Sequence, residues 1–196
     1  MPRNTNFERI DHIMKIFFAS DIHGSAKACS AMLDAYNYEN AERFILLGDL
    51  LYHGPRNPLP EQYNPKEVIS LLNNLEYSPL CVRGNCDAEV DQMVLNFPIM
   101  SDSAILALDN HRIAFITHGH IYSLSNLPPM QKGDILIHGH THVHCIQESN
   151  DITYINPGSV SMPKENQEPS YMIFDNNTFT IKQLYTHKVL LEKKII

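Results

Sequence analysis

A chain of 196 residues, 43% hydrophobic and 19% charged, has the composition of one globular domain and is long enough to bury roughly 70% of the surface its unfolded form exposes. Its net charge of −7 with neutral histidines excludes a nonspecific grip on nucleic acid, which needs a surplus of Lys and Arg. No apolar run is long enough to span a bilayer, and Cys29, Cys81, Cys86 and Cys145 lack paired spacing, so a cytoplasmic protein without membrane contact is expected.

Residues 1–13, "MPRNTNFERIDHI", are too polar for a signal peptide; they read as a loose arm, or as upstream residues of a chain that begins at Met14, with a single domain over 14–196. In "KIFFASDIHG", Ile16 to Ala19 form a short apolar strand that ends in a polar cluster holding Asp21 and His23. Cys29, Met32, Leu33 and Tyr36 then fall at i, i+3, i+4 and i+7, the stripe of an amphipathic helix. "RFILLGD" repeats the strand-to-cluster form with Asp49. A second helix follows, on Val68, Leu71, Leu72 and Leu75, with Asn64 as N-cap, Pro65 at the first helical position and Glu67 closing a capping box. "LCVRGNCD" is a third strand. From Ser103 onward helical periodicity gives way to strand-like runs separated by turns, among them "RIAFITHGH" and "DILIHGHTH". The apolar runs are continuous rather than alternating, as in strands covered on both faces, and the chain is expected to be α/β at its start and mainly β at its end.

Ligands of open α/β sheets gather outside the carboxyl ends of the strands, where all five polar clusters sit. They bring together Asp21, His23, Asp49, Asn85, His118, His140 and His142. Carboxylate, imidazole and amide oxygen together suit Mn²⁺, Fe or Zn²⁺, whereas an all-oxygen set points to Mg²⁺ or Ca²⁺. Seven ligands exceed what one ion can use while keeping a place for substrate, so two ions are expected. A single D-x-H, G-D or G-N is ordinary turn chemistry. H-G-H and H-T-H carry more, and the ordered conjunction of all five clusters carries most.

"DIHG", "GDLLYHG", "GNCD", "THGH" and "GHTH", in this order, resemble the motif series of calcineurin-like metallophosphoesterases. "FASDIHGS", "HGPRNPLP", "VRGNCDAEVDQM" and "NPGSVSMPK" are similar to segments of the small bacterial phosphodiesterases of the YfcE type, so the resemblance runs from Met14 to Lys164. It implies an α/β, four-layer metallophosphoesterase fold, two packed mainly β-sheets flanked by helices. It implies one ion between Asp21, His23, Asp49 and His142 and a second between Asp49, Asn85, His118 and His140, with Asp49, Asn85 and His118 also catalytic. The cofactors it implies are two divalent ions, Mn²⁺ first, with Zn²⁺, Fe or Ni²⁺ as alternatives. The implied reaction is hydrolysis of a small phosphodiester by a hydroxide bridging the ions, and relatives of this type imply a homo-oligomer.

His138 and His144 are expected to be structural or solvated rather than ligands. Two departures bear on substrate. Cys86 stands where many superfamily members carry a histidine that assists the leaving group; a thiol with a reference pKa of ~8.5 is a poor substitute for imidazolium, which favours aryl or nucleotide esters. Tyr52 and His53 replace the Asp-Arg pair of phosphoprotein phosphatases, which argues against that activity. His53, Arg56, Asn57, Cys86 and His120 are the candidate substrate contacts. "NPGSVSMP" either lines the pocket or is a plain turn. The alternatives are a phosphomonoesterase on the same two ions and a protein-interaction scaffold, the role of a retromer subunit of this fold.

Overall fold

The computed structural model describes residues 14–108 and 111–195; the expected arm, 1–13, lies outside the described residues. In chain order the elements are β1 (Ile16–Ala19), α1 (Ala26–Glu39), β2 (Arg43–Leu46), α2 (Pro65–Asn73), β3 (Leu80–Cys81), α3 (Glu89–Gln92), β4 (Ser103–Ala107), β5 (Ile113–Thr117), β6 (Ile135–Ile137), β7 (Cys145–Ser149), β8 (Ile152–Asn156), β9 (Ser170–Asp175), β10 (Thr178–Gln183) and β11 (Val189–Lys194). The switch from helix-rich to strand-only falls where the loss of 3.6-residue periodicity places it. The one-turn α3 carries no periodicity long enough to read.

Local chemistry sets the helix boundaries. Ser25 Oγ accepts from the Ala28 N–H at 3.2 Å and starts α1, which ends at Asn40 in the left-handed conformation (φ 49°). Asn64 Oδ1 accepts from the Glu67 N–H and its amide donates to Glu67 Oε2, the expected box around Pro65.

Two mixed sheets carry the molecule, one in the order β11-β10-β9-β1-β2-β3, the other β4-β5-β6-β8-β7. Strands β1, β2 and β3 are parallel, as are β5, β6 and β8, while the outer strands are antiparallel. Period-2 alternation explains the layers. Phe18, Ile45, Leu47 and Val82 point between the sheets and meet Ile116, Ile135, Ile137 and Ile155 there. Phe17, Phe44 and Leu46 point the other way and pack under Met32 of α1 and Val68 and Leu72 of α2. Both faces of these strands are therefore buried, the reason their sequences are continuously apolar. On the far side of the second sheet, Tyr122, Leu127 and Met130 from the segment after β5 cover Phe115, Leu136 and Tyr154.

A polar knot ties α1 to the first sheet. Glu39, 7% exposed, accepts from Tyr171 Oη at 2.6 Å and from Lys182 Nζ at 2.8 Å, and Tyr171 stacks on Phe17 with ring centroids 4.7 Å apart. Burial disfavours the Glu39 charge, but Lys182 and Tyr171 outweigh it and hold the carboxyl below its usual range. A lowered folded pKa gives stability that is present above the unfolded value and is lost as pH falls through the folded one. Glu39→Gln is therefore expected to cost about 1–3 kcal/mol at neutral pH. That difference from the parent should shrink below about pH 4.3, the reference glutamate pKa. Urea denaturation across that range measures both, and a gap independent of pH would show that the charge contributes nothing.

Candidate metal centre

The parallel ladders continue past the strand ends and so align the ligand loops. Leu47 N–H donates to Ala19 O, Asp21 N–H to Gly48 O and His23 N–H to Asp49 O, at 2.9 to 3.1 Å. The second sheet does the same through Gly139 N–H to His118 O at 2.8 Å. Asp21, His23, Asp49, His140 and His142 all have positive φ, between 50° and 68°. Left-handed backbone costs an L-residue roughly 1–2 kcal/mol, and it turns each of these side chains back over the carboxyl ends of the strands.

The two carboxylates are buried, Asp21 completely and Asp49 to 2% exposure. Asp21 Oδ1, which has no hydrogen-bond partner, faces His23 Nε2 at 3.5 Å and His142 Nε2 at 3.3 Å. Asp49 Oδ2 faces His23 Nε2 at 3.5 Å and His118 Nε2 at 3.4 Å. Three of these rings are fixed from behind: Nδ1 of His23, His118 and His142 donates to the carbonyls of Tyr52, Leu47 and Met162 at 2.6 to 2.7 Å. A carbonyl only accepts, so Nδ1 carries a hydrogen and Nε2 is the nitrogen turned toward the carboxylates. The Nε2 atoms of His23 and His142 oppose each other at 3.2 Å, so a shared proton or a metal ion has to keep their lone pairs from meeting. The donor set fits the group the sequence implies.

Without an ion, protons fill that role. Burial opposes charge on His118, but Asp49 and Asp21 outweigh it and push the imidazole up to about 9. Burial likewise favours neutral Asp21, yet His142 and His23 hold that carboxyl well below the usual range. His140 and His120 are pushed down, by burial first and then by the charge on His118, which leaves both neutral. Metal binding therefore displaces protons from the cluster.

All seven expected ligands come to this place. Asn85 Oδ1 lies 3.2 Å from His118 Nε2, and the His140 ring centroid lies 5.1 Å from that of His118. A cleft of about 260 Å³ opens over them; Arg56, Asn57 and Cys86 line it. His53 and His120 do not: the His53 ring packs edge-on against Tyr52 and Tyr63, and the His120 ring lies 5.4 Å from that of His118. A larger groove of about 560 Å³ between α1 and α2 gathers no metal ligands, so chemistry rather than volume marks the site. His138 is buried, and burial pushes its ring down to about 4, so it stays neutral; His144 is half-buried.

Sequence reasoning missed the residues that hold the ligands. Asp87, the last residue of "GNCD", accepts from the backbone N–H groups of Asp49, Leu50 and Gly84 at 2.7 to 2.9 Å and clamps the β2 and β3 loops together. "NPGSVSMP" is neither wall nor plain turn. Ser159 and Ser161 both donate to Asp21 O at 2.8 Å, Asn156 donates to Gly139 O at 2.8 Å, and Met162 supplies the carbonyl behind His142. The legible signal was the position of these residues beside each motif. Gly84 and Gly139 leave room for the carboxylates: a β-carbon on Gly84 collides with Asp49, and one on Gly139 with Ser20 and Asp21.

Asp87→Asn turns an N–H toward backbone donors. It is expected to cost about 1–3 kcal/mol of stability and to weaken Mn²⁺ binding about 10–100-fold, read by denaturation and titration calorimetry. Unchanged affinity would mean that Asp49 is placed without this clamp. Gly84→Ala should weaken Mn²⁺ binding by at least as much while far-UV circular dichroism keeps its native shape.

The family model described as the calcineurin-like phosphoesterase superfamily domain matches residues 14–178. Phosphodiesterase YfcE of Escherichia coli K12 is 42% identical over 183 residues, covering 93% of this chain and 99% of that protein. A solved structure of the E. coli YfcE phosphoesterase superposes with a TM-score of 0.89 at 41% identity, over 93% of this chain and 100% of that one. Vps29 of Entamoeba histolytica, solved with zinc, shares the fold at a TM-score of 0.60 and 20% identity, over 93% and 100% of the two chains. Two packed mixed sheets, this ligand cluster at their carboxyl ends and a match over most of the chain have one meaning: the protein belongs to the calcineurin-like phosphoesterase superfamily.

Proposed function

We propose that this protein is a phosphodiesterase dependent on two divalent metal ions, with Mn²⁺ the physiological ion. The observation that carries the reading is the pair of buried carboxylates faced by three imidazole Nε2 atoms whose other nitrogens are fixed to carbonyls. Asp21, His23, Asp49 and His142 would hold one ion, and Asp49, Asn85, His118 and His140 the other. Bound there, the ions supply Lewis acidity that makes water a nucleophile at neutral pH and offsets charge on the phosphate oxygens.

The chain's own residues orient and select. Asp49 keeps Oδ2 toward the cluster because Oδ1 is tied to the Cys86 N–H at 2.8 Å. Asn57, whose amide donates to His53 O at 2.9 Å, holds the 53–57 turn against the cleft and places Arg56 over it. Cys86 borders the cleft with a neutral thiol, so no cationic acid stands there for a poor leaving group, and aryl or nucleotide diesters are the substrates favoured. The size of the cleft and the phosphodiesterase relatives support a small diester. The four cysteines are all unpaired, which supports a reducing compartment, the cytoplasm. No described helix is long and apolar enough to cross a membrane.

Metal-stripped protein with Mn²⁺ restored should hydrolyse bis(p-nitrophenyl) phosphate at least about tenfold faster than p-nitrophenyl phosphate. Asp49→Asn should lose more than the ~10–100-fold that removal of an outer hydrogen-bond partner costs. Faster turnover of the monoester would make the protein a phosphomonoesterase. Silence on both with metal bound would leave a scaffold role.

A further inference from the structure

We infer that Arg56 and Lys164 form an anion subsite beside the metal cluster, and that the preferred diester carries a further phosphate group. The inference rests on the phosphodiesterase reading and narrows its substrate class. Both residues line the same cleft as His23, Asp49 and His142, yet they arrive from separate loops, after β2 and after β8. Lys164 ends the segment "NPGSVSMPK" but was not among the expected substrate contacts; the fold brings it to the cleft.

Position rather than pairing alone sets these two apart, since among the described residues Lys66, Arg112, Lys188 and Lys194 also have no ion pair, but only Arg56 and Lys164 line the cleft. In this acidic chain Lys15, Lys27, Arg83, Lys132, Lys182 and Lys193 each have a carboxylate partner. Among the described residues the side chains of Arg56 and Lys164 have neither an ion pair nor a hydrogen bond. Asp49 is the single acid lining the cleft, and its oxygens are taken by the Cys86 N–H and the imidazoles. The two cations therefore border a cleft whose one carboxylate is already engaged by other partners.

Their backbones are fixed although their side chains are not. Arg56 sits in the turn closed by Asn57 N–H to Gly54 O at 3.4 Å, with Gly54 at φ 82° and prolines at 55 and 58. Lys164 N–H donates to His142 O at 3.1 Å, which ties it to a ligand loop. Two divalent ions set against Asp21 and Asp49 already exceed the single charge of a diester. Two more unpaired cations beside them match a second, more highly charged anion, and guanidinium and ammonium both bind phosphate well.

The test uses the p-nitrophenyl ester of thymidine 5′-phosphate with and without a 3′-phosphate, on Mn²⁺-loaded protein at low ionic strength. The 3′-phosphorylated diester should have the higher kcat/KM by about tenfold, the worth of one charge-assisted contact. Arg56→Gln and Lys164→Gln should each reduce that ratio several-fold, and added salt should erode it. No preference in the parent, or equal loss on both substrates, overturns the subsite. Calorimetry of thymidine 3′,5′-bisphosphate against thymidine 5′-monophosphate, on Mn²⁺-loaded and metal-stripped protein, reads the same subsite without turnover. Bisphosphate about tenfold tighter to the parent but not to Lys164→Gln supports it, and equal affinities overturn it. If neither ester is hydrolysed while the bisphosphate preference holds, the hydrolytic reading falls and the subsite stands.

Discussion

Two carboxylates, Asp21 and Asp49, sit where water scarcely reaches, and nearly every polar contact at the junction of the sheets answers to them. Burying an ionised carboxylate costs several kcal/mol even after relaxation, so the charge must be met by partners held in place. The structure meets it on each oxygen in turn. Asp21 Oδ2 accepts from Ser20 Oγ and the His140 N–H, and Asp49 Oδ1 accepts from the Cys86 N–H. The remaining oxygens are left to imidazole nitrogens and to whatever cation joins them. Such a cluster is stable only when its positive part is present, which makes ion binding and folding of this region one equilibrium.

The scaffold bears the cost of that arrangement. Five ligands in left-handed backbone store several kcal/mol that ordinary loops would release by relaxing. They are prevented from doing so by the ladders that run past the strand ends, by the three amide hydrogens gathered on Asp87, and by the two serines on the Asp21 carbonyl. His118 links the sheets directly, its Nδ1 on the Leu47 carbonyl. The apolar layer between the sheets thus fixes the register in which the two halves of the ligand set meet.

The substrate side of the cleft follows a different rule. There the backbone is anchored through Gly54, Asn57 and Lys164 while the charged ends of Arg56 and Lys164 stay unpaired. Rigid ligands with free flanking cations divide the labour: the cluster holds its ions in one geometry, and the rim keeps its charge for what binds beside them.

The chain's own order of residues determined which elements form and which donors the site contains. Continuous apolar runs, two capped helical stripes and polar clusters at strand ends were legible because each depends on neighbours within a few positions. The donor chemistry was legible because carboxylate, imidazole and amide are properties of the residues themselves. Which oxygen faces which nitrogen was not, since Asp21 and His142 lie 3.3 Å apart only after two sheets pack in one register. The same holds for Asp87, Ser159 and Ser161, whose partners are backbone groups with no sequence signature, and for Lys164, which the loop after β8 brings to the cleft while it stays exposed. It holds for His53 as well, which sits beside a ligand motif in sequence yet packs against Tyr63. Tertiary structure decided these because they are set by distance in space between segments far apart in the chain, and only burial of the shared core fixes that distance.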